Sequence, residues 1–168
     1  MSNTTSSLST RLSISPTLQD ALDSVLNRAI AIHRTDMGYI HLFEPKTSSL
    51  VIATQRGFRS DFVNFFGTIR IDDDYSTCAR AMRAGESAIV EDIEVDSLYK
   101  PHRAIAALAG YRAVQSTPLT SRRGTLVGVL STHFRQPRQF LPWEMNLFDM
   151  LARHAANLIE LFQTDNVR

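Results

Sequence analysis

The 168-residue chain has almost no cysteine, no excess of either charge and no long apolar run. Its one cysteine, Cys78, excludes an intramolecular disulfide framework and any metal site built from cysteine alone. Eighteen Lys and Arg against 17 Asp and Glu leave a formal charge of +1. That balance excludes the basic field of a nucleic-acid binder and the acidity of a solvating tail. No stretch approaches the roughly 20 apolar residues of a membrane-spanning helix, and the N-terminus lacks the apolar core of a secretory signal. There is no Gly-rich phosphate loop, no nucleophile elbow and no His-Glu-x-x-His pair. Nucleic acid, membrane and metal are therefore not expected partners. No catalytic constellation stands out, and a cytoplasmic location is expected.

What the sequence does contain is periodicity. Residues 1–17, with six Ser and four Thr, read as a flexible tail, and 164–168 as a short C-terminal one. One domain is expected over 18–163. Leu18, Leu22, Val25, Ala29 and Ile32 are spaced 4, 3, 4, 3, which predicts a helix over 18–33 with Thr17 as its cap. Residues 37–44 alternate and predict a strand; Pro45–Ser48 is a turn and 49–55 the returning strand. A short aromatic helix is expected over 61–66. A second, over 75–84, would start from Asp72-Asp73-Asp74 and stop at Gly85. A strand over 87–91 and a helix over 101–109 follow, with Pro101 at the helix start. Residues 112–120 and 125–134 read as a hairpin turning at 121–124. A last helix over 141–162 carries Leu147, Leu151, His154, Leu158 and Leu161 in one row. Hairpins near both ends imply an antiparallel sheet, and terminal helices imply one covered face. The fold class is α+β.

Several side chains stand out. Tyr39 and His41 share one strand face, as do Ser131 and His133, and Gln115 and Thr117 share another. Polar residues at period two mark either a solvated face or a pocket for a small polar ligand, lined by Tyr39, His41, Gln115, Thr117, Ser131 and His133. Cys78, near a helix start, is either a buried small hydrophobe or a reactive thiol; the three upstream aspartates disfavour its thiolate. His102, at a helix start, is expected to be exposed, and His154 to serve helix packing or a dimer seam. Glu86, Glu91, Asp92, Glu94 and Asp96, and Arg122, Arg123, Arg135 and Arg138, are expected to form solvated acidic and basic patches.

Asp36-Met37-Gly38, the strand end Gln55-Arg56-Gly57-Phe58, and the stretches Ala113–Leu119 and Gly128–Phe134 resemble a GAF domain, similar to those beside bacterial sensor histidine kinases. The resemblance covers about residues 18–163. It implies a six-stranded antiparallel sheet, PAS-like, with the N- and C-terminal helices on one face. Short helices and loops would roof a ligand pocket on the other. It does not fix the ligand. Bilin-binding relatives attach through Cys followed by His. Ala79 follows Cys78 here, which argues against a covalent bilin; haem, for which His102 is a weak candidate, is not expected either, and the cofactor stays unassigned. A single cysteine also argues against the methionine-sulfoxide-reducing relatives. No Asn-Lys pair exists, and Phe140-x-x-x-Glu144 only partly matches the cyclic-nucleotide subset.

The resulting expectation is a free-standing sensory domain, rather than a fragment of a larger kinase. It would bind a small molecule and act in trans on a two-component histidine kinase or response regulator. Cys78 joins the candidate pocket. A homodimer is expected through the terminal helices at Leu18, Leu22, Val25, Ala29, Leu147, Leu151, His154 and Leu158. The alternatives are a redox switch or small enzyme centred on Cys78, and a dimerisation module whose pocket is filled by its own side chains.

Overall fold

Proline at the first position of a helix and a serine just before it give a strong start signal, and the chain uses both. In the computed structural model, which describes residues 14–165, helix α1 spans Pro16–His33, and the Ser15 hydroxyl accepts from the Leu18 amide at 3.2 Å. Ser15, not Thr17, is the cap; Thr17 already lies inside the helix. The helix ends on Arg34 in the left-handed region, φ 52°.

The sheet has six antiparallel strands: β1 (Met37–Glu44), β2 (Ser49–Arg56), β3 (Thr68–Arg70), β4 (Ala88–Val90), β5 (Ala113–Thr120) and β6 (Leu126–Phe134). Their order is β3-β2-β1-β6-β5-β4. β3 has three residues, too few for any period to show in sequence. The first and last strands of the chain's long hairpins, β1 and β6, meet at the centre, with Tyr39 opposite Ser131 and His41 opposite Val129. Glycine permits that closeness. A Cβ at Gly128 would run into the His41 carbonyl, and one at Gly38 would stand 2.8 Å from the Ser131 carbonyl oxygen.

Period two sorts the strand side chains onto two faces. Ile40, Leu42, Leu119, Val127 and Leu130 face α1 and the last helix, α5 (Pro142–Asp165). Leu18, Leu22, Val25 and Ala29 are all buried in this layer, so the α1 stripe belongs to the chain's own core and is not free to form a dimer seam. α5 runs past the expected end at 162. Thr164 and Asp165 are helical rather than tail, and residues 1–13 and 166–168 lie outside the described part.

Met37, Tyr39, Val114 and Val129 face the other way, towards a roof of three short helices: α2 (Ser60–Phe66), α3 (Thr77–Ala84) and α4 (Arg103–Ala109). α3 starts at Thr77, capped by Ser76. Asp73, instead of opening a helix, accepts from the amides of Tyr75 and Ser76 at 2.8 and 3.2 Å and shapes the preceding turn. Lys100–His102 form a 3₁₀ turn before α4, so the expected single helix is split.

Candidate functional site

Between sheet and roof the packing is mostly aromatic. Phe58 and Phe62 stack at 3.9 Å, and His133 sits among Tyr39, Phe58, Phe62 and Tyr111 with ring centroids 4.6–6.0 Å away. Burial, and secondarily the nearby His41 charge, lower the His133 imidazole to about 3, so it is neutral at pH 7.

Through this apolar layer runs one polar thread. The Tyr39 hydroxyl is 3.0 Å from Cys78 Sγ, which lies 3.5 Å from Ser131 Oγ and 3.7 Å from Ser116 Oγ. The Ser116 and Ser131 hydroxyls are 2.7 Å apart, and Ser116 donates to Thr77 at 3.0 Å. Burial pushes the Cys78 thiol up. The neighbouring His41 and the hydroxyls of Tyr39 and Ser131 outweigh it, and the thiol falls to about 7. Burial holds the Tyr39 phenol well above its ordinary 10, so it stays a donor to the sulfur. Only 1% of Cys78 is exposed, so the sulfur is sealed from solvent.

Several other polar groups of the roof side are nitrogens without hydrogen-bond partners. His41 Nε2 meets the Phe66 carbonyl at 2.9 Å, but its Nδ1 meets nothing. His133 Nδ1, both ring nitrogens of His102, and Nε and Nη2 of Arg80 are buried and unpaired as well. These are six of the seven such atoms among the described residues. His102 is 8% exposed, not a surface residue as its position after Pro101 implied. Phe65, Phe66, Tyr75 and Tyr99 surround it at 5.1–6.4 Å, all close to edge-on. Burial lowers its imidazole, against the pull of Asp73. The Tyr99 hydroxyl bonds Tyr111 at 2.8 Å.

Five of the seven expected pocket residues therefore meet here: Tyr39, His41, Cys78, Ser131 and His133. Gln115 and Thr117 do not. Ser116 pairs opposite Ser131, which turns its two neighbours to the helix-covered face. There His33 Nδ1 bonds Thr132 Oγ1 at 2.8 Å, Thr132 donates to Gln115, Gln115 donates to Thr117, and Thr117 meets Ser87 at 2.7 Å. β5 carries Gln115, Ser116 and Thr117 in a row, so it shows no alternation from which to read a face. Ser116, Thr77, Arg80, Tyr99 and Tyr111 were not legible as site residues for the same reason: only the β5–β6 register and the roof helices bring them in.

The covered face holds a second departure from expectation. Arg138 is no part of a solvated patch. It forms an ion pair with Glu144, donates to the His33 carbonyl at 2.6 Å, and lies over the rings of Phe134 and Phe140 at 4.5 and 5.2 Å. In the acidic stretch, Asp92 is likewise tied to Arg112 at 2.9 Å.

A family model described as GAF domain matches residues 15–160. The chain belongs to the GAF family. Solved structures agree on the fold. The GAF domain of a phosphoenolpyruvate-protein phosphotransferase from Coxiella burnetii matches with TM-score 0.77 and 19% identity, over 92% of this chain and 89% of that one. A domain ascribed to a two-component sensor histidine kinase of Sinorhizobium meliloti matches with TM-score 0.72 and 18% identity, over 92% and 98%. The blue-light-absorbing PixJ GAF domain of Thermosynechococcus elongatus matches with TM-score 0.70 and 19% identity, over 94% of each. None of the curated proteins matches the sequence. The family is a sensory one, and this GAF domain shares its six-stranded antiparallel architecture. No helix among the described residues is long and apolar enough to cross a membrane.

Proposed function

We propose that this GAF domain binds a small molecule between sheet and roof, as a sensor in bacterial signal transduction that acts in trans on a two-component kinase or regulator. One observation carries the reading: six buried nitrogens of Arg80, His41, His102 and His133 line the roof side without hydrogen-bond partners among the described residues. Buried polar atoms are nearly always bonded, and each exception costs about 1–3 kcal/mol. A site meant only to be filled by its own side chains would not carry that cost. Native mass spectrometry of the freshly purified protein, with an absorption spectrum of the same sample, tests it. The expected result is a reproducible added mass with no visible band. Apo protein that takes up nothing from a metabolite extract sinks the ligand reading in favour of a dimerisation module.

The partner of this domain, in the same reading, is first a second copy. Trp143, Leu147, Met150, His154 and Leu161 form an exposed row along α5. With Arg28, Ala31 and Ile32 of α1, the middle of that row lines a groove of about 500 Å³. A row running the length of a 24-residue helix is self-complementary about a two-fold axis, the usual geometry of a homodimer. Of the expected seam residues, Leu147 and His154 stay in this row with the half-buried Leu158 beside them, while Leu18, Leu22, Val25, Ala29 and Leu151 serve the core. Met150→Glu is expected to raise the dimer dissociation constant at least tenfold in size-exclusion chromatography with light scattering. An unaltered elution profile over the same concentrations counts against the α5 seam.

A further inference from the structure

The register of the central strands brings two chain segments together at one end of the sheet. β1 and β6 are antiparallel neighbours with Met37 opposite His133, so the residues just before β1 and those just after β6 leave the sheet side by side. Between them lies a cleft of about 550 Å³, within the size range of small-molecule sites. Its walls include Arg34 and Asp36 on one side, and Phe134, Arg135, Pro137 and Arg138 on the other. Three arginines thus share the cleft with a single carboxylate. None of the lining residues belongs to the polar thread between sheet and roof.

The three arginines are held differently. Arg138 is fixed by the His33 carbonyl, by Glu144 of α5 and by the Phe134 and Phe140 rings. Its Nε makes no hydrogen bond among the described residues and is not one of the sealed nitrogens, so that donor stays accessible. Arg135 pairs with Asp36 at 2.9 Å, but both side chains are more than half exposed, and ion pairs in that setting are weak and exchange readily. Gly110, at the end of α4, leaves room for Arg135: a Cβ there would stand 3.1 Å from Nη1. Arg34 is exposed and meets no carboxylate among the described residues. The end of a helix ordinarily repels an anion through its last carbonyls. Here those carbonyls are occupied. The amides of Arg34 and Thr35 bond Ala31 and Ile30 at 3.3 and 3.1 Å, and Arg138 takes the carbonyl of His33.

We propose that this cleft is a second ligand site, for a small molecule carrying a carboxylate or phosphate. Arg34 and Arg135 hold the oxyanion beside the fixed guanidinium of Arg138, and the body of the molecule lies on Phe134 and Pro137. A guanidinium presents its donors in a planar fork that matches a carboxylate or phosphate edge. The oxyanion takes the place of Asp36 at Arg135, which an exposed pair allows at little cost. The site is independent of the one proposed between sheet and roof.

The test uses the full chain and two probes, inorganic phosphate and benzoate, each titrated against sodium chloride at constant ionic strength while the melting temperature is followed. At least one probe is expected to raise the Tm saturably, by about 3 °C at tenfold its dissociation constant. Arg34→Gln combined with Arg135→Gln is expected to weaken that binding about tenfold or more, the range for losing charge-assisted hydrogen bonds. Both residues are exposed, so the fold tolerates the change. Asp36→Asn is expected to tighten binding about threefold, because it frees Arg135 and removes a like charge. A purely structural Arg135–Asp36 pair gives another pattern: either substitution then lowers the unliganded Tm slightly and leaves the probe affinity unchanged. The proposal is overturned if neither probe raises the Tm beyond chloride, if the rise survives the double substitution, or if Asp36→Asn fails to tighten it. A rise that survives places the anion elsewhere in the domain and leaves the sheet–roof reading untouched.

Discussion

Acidification from pH 7 to pH 5 is expected to remove about 4 kcal/mol of folding stability, about 2 kcal/mol for each of two buried histidines. Burial lowers His33 to about 4, with the Arg138 charge adding to the effect and Glu144 opposing it; burial and His41 lower His133 to about 3. In the unfolded chain both titrate near 6.5. Between those values the unfolded chain binds protons that the folded one refuses. Stability is therefore complete above about pH 6.5 and falls with pH until the folded groups titrate in turn. His102, also lowered, acts in the same direction. The carboxylates held down by arginines, Asp36 and Asp72, are outside this window, since theirs opens only below the ordinary carboxylate value of about 4. A loss of this size is a large part of the roughly 5–15 kcal/mol that holds a domain together. Urea midpoints at pH 7, 6 and 5 measure it. His133→Asn, whatever its own stability, should roughly halve the slope, and a flat profile in the wild type would refute the neutral-histidine account.

Glu144→Ala is expected to cost about 3–5 kcal/mol, the range for breaking one partner of a buried ion pair. Glu144 is 6% exposed and does two things at once. One oxygen pairs with Arg138, and the other accepts from the Leu141 amide at 3.1 Å, at the start of α5. The alanine removes a helix cap and leaves Arg138 charged among Phe134, Phe140 and His33. Replacing both ends, Arg138→Met with Glu144→Ala, should recover most of the loss, because a shape-filling apolar side chain carries no uncompensated charge. Chemical denaturation of the two singles and the double measures the coupling. If the double is as unstable as the sum of the singles, the pair is not what holds this corner.

The elements that were legible from sequence are those long enough to display a period. α1, β1, β2, β6 and α5 announce themselves through Leu18-Leu22-Val25, through the alternation at 37–44, and through the row ending at Leu161. β3 was missed because Thr68–Arg70 holds a single apolar residue between two polar ones, whereas the equally short β4 showed an unbroken apolar run, Ala88-Ile89-Val90. The Asp72–Asp74 run misplaced the start of α3 because carboxylates suit a tight turn as well as a helix N-terminus, and Asp73 took the turn. At the site, Tyr39 with His41 and Ser131 with His133 could each be placed on one face by their spacing of two, although β6, like β5, carries three polar residues in a row at 131–133. Gln115 and Thr117 were misplaced because β5 is polar on both faces and only its register with β6 decides. Arg80 carries no sequence signal, and His102 showed only its place after Pro101 at a helix start, which pointed to the surface. Their burial without partners comes from the docking of α2, α3 and the Lys100–His102 turn over the sheet, a tertiary property that no local pattern encodes.

The 1° stack of His33 on Phe148, at 4.2 Å, places the end of α1 against the beginning of α5. Met37 opposite His133 puts both at the same end of the sheet, so the two helices run antiparallel from there. At 1.5 Å per residue, about 25 Å of α5 extends beyond Phe148. The geometry is that of a lever with its fulcrum at the stack. A tilt of roughly 5° about that point carries the far end about 2 Å, close to the helix shifts of 1–2 Å by which subunit interfaces switch. The Ser87–Thr117–Gln115–Thr132 chain ends on the fulcrum itself, at His33. Ser87 stands just before β4, so this chain joins the edge of the sheet to the contact between the two terminal helices.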